Sequence, residues 1–121
     1  DKADAARAAL KWVAEGAPDA AMKDIARLRL ASLLLDADQA DAALAQLSAP
    51  FTPAMAGLAA DLRGDVLQVK GQKTEALSAY LSAWLQLEES PDYRRLVQAK
   101  LNALGLDPQA ASPTTATGNT K

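Results

Sequence analysis

The chain has 121 residues, half of them hydrophobic but only 4% aromatic, with 13 basic and 15 acidic side chains and a formal charge of -2. Ala fills about a quarter of it, and neither Cys nor His is present. This balance excludes disulfides, thiol or imidazole chemistry, an electrostatic footprint for nucleic acid or anionic lipid, and, through the shortage of β-branched and aromatic residues, a mainly β fold.

In chain order, the spacing of apolar and punctuating residues predicts six helices. Residues 2 to 15 form the first, ended by Gly16 with Pro18 beyond it. Residues 19 to 35 form the second, with an apolar stripe of Ile25, Leu28, Leu30, Leu33 and Leu34. The turn Asp36 to Gln39 leads to a third helix over 39 to 48. Thr52 followed by Pro53 is a cap and first-turn pair for a fourth, which runs to about Lys70. Gly71 turns the chain into a fifth helix over 73 to 88. Ser90 and Pro91 then start a sixth that carries Tyr93, Leu96, Val97, Leu101 and Leu104 and closes at Gly105. No large apolar residue follows Leu106, so a helical domain over 1 to 105 and a flexible tail over 106 to 121 are expected. No apolar run reaches the roughly 18 residues of a membrane span; if the parent protein is anchored or exported, the segment responsible is expected to lie outside these residues.

The chain repeats itself. KADAARAAL at 2 to 10 and QADAALAQL at 39 to 47 share their Ala-Asp-Ala-Ala run, a later Ala and the final Leu, and QKTEALSAY at 72 to 80 is a more diverged copy. Aligning the second unit on the third pairs Ala31 with Gly64, Leu34 with Leu67, Ala43 with Ala76 and Leu47 with Tyr80. Small residues meet small and large apolar residues meet large, as close packing of two helices requires.

On these residues the chain resembles the tetratricopeptide repeats. Gly64, Leu67, Gly71, Ala76, Tyr80 and Ala83 follow that spacing. The preceding unit keeps Leu30, Ala31, Leu34, Ala43 and Leu47 but places Asp38 at the turn Gly and Pro50 at the last small site. Arg27 and Ala60 stand where the repeat usually has Trp. The resemblance implies an all-α, right-handed solenoid of antiparallel helix pairs, about six helices, truncated at its N-terminal end.

Over about residues 6 to 104 the chain is also similar to the repeat domain of the bacterial ancillary Sec translocon subunit family, most specifically in ARLRLA at 26 to 31 and LRGDVL at 62 to 67. That likeness implies the periplasmic face of the inner membrane, with the membrane anchor lying elsewhere. It implies as partners the Sec translocon, a membrane-anchored periplasmic chaperone of the prolyl-isomerase type, and exported polypeptides.

The first copy of the motif is preceded only by Asp1, so its helix lacks the partner that the other copies have. The chain is expected to begin partway through a longer solenoid, exposing Ala6, Leu10 and Val13 with Trp12 nearby. That helix either packs on its downstream neighbours by another face or pairs with a second copy in a dimer.

Motifs for chemistry are few. Arg63, Gly64 and Asp65 spell an adhesion tripeptide, but inside a helix and with Gly64 at a packing site. Asp36, Asp38 and Asp41 lack the turn Gly and distal Glu of a calcium loop. Asp61 and Asp65 share a helical face without the deep cleft that paired catalytic carboxylates need. No phosphate-binding Gly-rich loop is present, and no cofactor, metal or catalytic residue is expected. The reading is a non-catalytic binding module.

In such arrays the first helix of each pair lines the concave face. The inward positions implied are Ile25, Leu28, Ser32 and Leu35, then Leu58, Asp61, Asp65 and Gln68. They describe a groove with an apolar and an acidic end, suited to a segment that mixes apolar and basic residues. Leu28 and Leu35 equally suit the core. Trp12 and Trp84 suit either an edge contact or the sealing of adjacent helices. A translocon scaffold and a general adaptor in envelope assembly, secretion or cytosolic regulation both fit these residues.

Overall fold

The computed structural model describes residues 1–110. Six helices follow one another: α1 (Lys2–Gly16), α2 (Ala20–Asp36), α3 (Ala40–Gln46), α4 (Pro53–Val69), α5 (Lys73–Gln86) and α6 (Pro91–Ala103), with no strand among the described residues. Asp1 and Asp19 begin α1 and α2, each accepting a backbone N–H of the first turn at 2.9 Å. Short links make each helix pack against the next, and α2 also lies against α4.

The turn that follows the first helix of each unit is a left-handed one, repeated three times. Asp38 (φ 64°), Gly71 (φ 76°) and Gly105 (φ 93°) reverse the chain after α2, α4 and α6. In each case the following N–H bonds back into the helix: Gln39 to Leu34 at 2.8 Å, Gln72 to Leu67 at 2.9 Å and Leu106 to Leu101 at 2.9 Å. The three acceptors are buried leucines of the core. The helix α6 therefore ends as the first helix of a unit does, although sequence spacing marked only its stop.

Two apolar clusters form the interior. Leu30, Ala31, Leu34, Ala43 and Leu47 of the first unit take in Val66 from α4. Leu67, Ala76, Tyr80, Ala83, Trp84, Val97 and Leu101 build the second, and Leu44 packs against both. The aligned pairs of the repeat are thus core in both units. Lys70 and Asp41 form an ion pair between the end of α4 and α3.

Of the two outcomes open for α1, packing on its downstream neighbour is the one seen: it lies along α2, with Leu10 against the first cluster and Val13 half-buried, while Ala6 and Trp12 are exposed. Two other expectations change. The boundary at 105 falls short, since Leu106 packs on the second cluster and Pro108 is fully buried; residues 111–121 of the expected tail lie outside the described residues. Thr52 precedes α4 but makes no side-chain cap, because its hydroxyl is committed to Asp24.

Candidate functional site

The helices that begin each unit, α2, α4 and α6, carry the candidate surface. Counted back from the left-handed residue of each turn, Ile25 and Leu58 hold one place, Ser32 and Asp65 another, and Leu62 and Leu96 a third. Four of the six exposed large apolar side chains belong to these helices: Met22 and Ile25 on α2, Val69 on α4 and Leu96 on α6. Leu28 and Leu35 are half-buried against the first cluster and Leu58 against the second, so these three contribute to the core. Ser32 is exposed.

The expected acidic end is built differently. Asp61 is 4% exposed and faces α6, where Tyr93 donates its hydroxyl to Oδ2 at 2.7 Å and Lys100 donates to Oδ1 at 2.9 Å. Asp65 accepts from the Tyr80 hydroxyl at 2.6 Å and from Lys100 at 3.1 and 3.3 Å. Gln68 is exposed and donates to the Tyr80 hydroxyl at 2.9 Å. Two carboxylates share one ammonium, so Lys100, which ties α6 to α4, offsets one of the two negative charges expected there.

The electrostatics follow from that geometry. Burial opposes the charge on Lys100, but the hydrogen bond and charge of Asp61, with the charge of Asp65, outweigh it and raise its pKa. Burial raises the Tyr80 phenol, reinforced by the hydrogen bond to Asp65. Burial likewise raises Tyr93, reinforced by the bond to Asp61. Both phenols therefore act as fixed neutral donors. The cluster orients helices and leaves the partly exposed side of Asp65 able to accept a further hydrogen bond.

The sequence motif Arg63-Gly64-Asp65 is split by the fold: Asp65 bonds to Lys100, and Gly64 lies under the Tyr80 ring. Arg63 has no hydrogen-bond or ion-pair partner among the described residues. Asp41 pairs with Lys70, and among the described residues no group of three acidic side chains is placed to hold a metal ion. No described helix is long and apolar enough to cross a membrane.

A family model described as a tetratricopeptide repeat-like domain matches residues 1–106. The chain belongs to this family. This tetratricopeptide repeat-like domain is 35% identical over 101 residues to the ancillary SecYEG translocon subunit of Neisseria gonorrhoeae, covering 84% of this chain and 48% of that protein. It is 36% identical over 88 residues to the ancillary SecYEG translocon subunit of Escherichia coli, covering 73% of this chain and 42% of that protein. The chain spans about half the length of the curated relatives it matches. No solved structure matches it.

Two features of this tetratricopeptide repeat-like domain were missed in the sequence. One is Lys100 with Tyr93, seven residues apart and hence on one face of α6; that spacing was the available signal. The other is a joint at Arg27, which stands at the usual Trp site. Its guanidinium lies 3.8 Å from the centre of the Phe51 ring and donates to the carbonyls of Gln46, Pro50 and Ala49 at 3.1, 3.1 and 2.6 Å. Buried Asp24 lies 3.6 Å from Arg27 and accepts both the N–H and the hydroxyl of Thr52. The pair anchors the link between α3 and α4. Trp84 is not an edge residue: it is 7% exposed and stacked under Arg94, which donates to its carbonyl at 2.8 Å.

Proposed function

We propose that this domain is a non-catalytic docking module of an ancillary subunit of the bacterial SecYEG translocon, working at the periplasmic face of the inner membrane. The observation that carries this is the similarity to two proteins of that name, which covers most of the chain. Met22, Ile25, Val69 and Leu96 on the unit-starting helices supply an apolar surface, and Asp65 and Gln68 supply polar acceptors beside it. On this reading the surface holds translocon subunits, a membrane-anchored chaperone of the prolyl-isomerase type, or segments of exported polypeptides.

A photo-crosslinking residue at Ile25 or Val69, in the protein produced from its own gene, tests the assignment. Crosslinks to translocon subunits or to an anchored prolyl isomerase are expected. Crosslinks that arise only from probes at Trp12 or Leu85 would place the working surface elsewhere. Pairing of two copies through α1 rests on Trp12, 77% exposed, because Leu10 packs against the first cluster and Val13 is half-buried. A monomer mass that stays constant over a concentration series in size-exclusion chromatography would rule that pairing out.

A further inference from the structure

A second surface lies on the other side of α4. Arg63 is two residues from both Asp61 and Asp65, and so points about 200° around the helix from them. It holds the place that Leu30 holds in the preceding unit, where Leu30 is 3% exposed and fully engaged in the core. Where the repeat pattern puts a core leucine, this unit puts a half-buried guanidinium with no partner among the described residues.

The space around it is open for a related reason. Ala60 occupies the place of Arg27, whose large side chain fills the equivalent region of the first unit by stacking on Phe51. With only a methyl group there, a groove of about 370 Å³ runs between α4 and α5, lined by Ala60, Arg63, Leu67, Glu75, Ser78 and Ser82. Ala60 and Arg63 also border a second hollow under the Leu47–Phe51 segment that follows α3. Arg63 therefore stands between two adjoining hollows. Glu75 lines the first, is exposed, and has no ion pair with Arg63 or with any other described residue.

We propose that this groove is a docking site for an extended segment of a partner protein that carries a carboxylate side chain for Arg63 and a neighbouring basic side chain for Glu75. A guanidinium takes a carboxylate in a bidentate, charge-assisted geometry. The small residue Ala60 lets a backbone approach, and the Ser78 and Ser82 hydroxyls offer hydrogen bonds along it. A hydrophobic segment without charge would leave Arg63 desolvated and unpaired, which is costly, so the groove selects against it. This site is independent of the surface proposed above for the translocon, and a partner of either surface need not bind the other.

The test places a photo-crosslinking residue at Ser78 in the protein produced from its own gene, with the captured segment identified by mass spectrometry. The expected result is a segment containing Asp or Glu beside Lys or Arg. Arg63→Gln should cut the yield about tenfold or more, and Glu75→Lys, at an exposed position whose side chain has no hydrogen bond or ion pair among the described residues, should lower it as well. Crosslinking from Val69 in both variants reports that the fold and the other surface are intact. The proposal is overturned if Ser78 captures nothing while Val69 does, if the captured segment has no acidic residue, or if Glu75→Lys and Arg63→Gln leave the yield unchanged.

Discussion

Gly64 lies against the ring of Tyr80 so closely that a Cβ on it would stand 2.4 Å from Cε1. The two come from α4 and α5, and their contact sets how near those helices approach. Tyr80 is held from the other end by its hydroxyl bonds with Asp65 and Gln68, so the ring has no room to yield.

Gly64→Ala should therefore destabilise the protein by about 2–3 kcal/mol, despite the gain in helix propensity, because it overpacks a fixed ring. Gly16, at the end of α1, has nothing within 4 Å of its Cβ position. There the same substitution should be neutral or stabilising by up to about 1 kcal/mol. Urea denaturation of the two variants checks the contrast, and equal effects would mean that the Tyr80 contact does not limit helix approach.

Asp38→Gly should stabilise by about 0.5–1 kcal/mol. Asp38 is the non-glycine residue with a positive φ among the described residues, and it performs the turn that Gly71 and Gly105 make without a Cβ. The measurement is the shift in thermal midpoint. A fall would show that the Asp38 carboxylate contributes more than its backbone conformation costs.

Arg27→Lys should cost about 1–2 kcal/mol. A single ammonium cannot reproduce the guanidinium bonds to three carbonyls while also stacking on Phe51. Amide exchange should speed up in the 46–52 link before the rest of the chain opens. Protection unchanged in that link would argue against the anchoring role.

Lys100→Met should destabilise by about 2–4 kcal/mol, since it leaves Asp61 buried with only the Tyr93 hydroxyl. Combining it with Asp61→Asn should cost less than the two changes summed, a coupling that a double-mutant cycle measures.

The same cluster fixes an alkaline limit. Tyr80, Tyr93 and Lys100 all have raised pKa values in the fold. Raised folded values favour the protonated state, so their stabilisation is complete below the unfolded values of about 10 and is lost as pH rises through the folded values. Urea midpoints should be unaffected by these three groups between pH 7 and 9 and fall above about 10. Tyr93→Phe should flatten the fall. A fall already under way at pH 8 would contradict this origin.

The sequence by itself determined the all-helical fold, the six elements and the register of the repeat. Local rules carry that information: Gly and Pro punctuate, and small and large apolar residues recur where helices must touch. The pairs Ala31 with Gly64 and Leu34 with Leu67 were legible because packing at a repeat position demands the same size each time. Only the tertiary structure decided which polar residues meet. Asp61 and Asp65 read as an acidic surface because Lys100, far along the chain, carries no mark of its destination until α6 folds onto α4. The length of α1 was legible, but its docking face was not, since an Ala-rich helix presents several similar faces. Leu28 and Leu35 were equally suited to groove and core, and the fold leaves both half-buried against the first cluster. Arg27 and Arg63 are the same kind of residue one helical turn from small neighbours. The partner carbonyls that the fold brings to Arg27, and does not bring to Arg63, make one a structural anchor and leave the other free to bind.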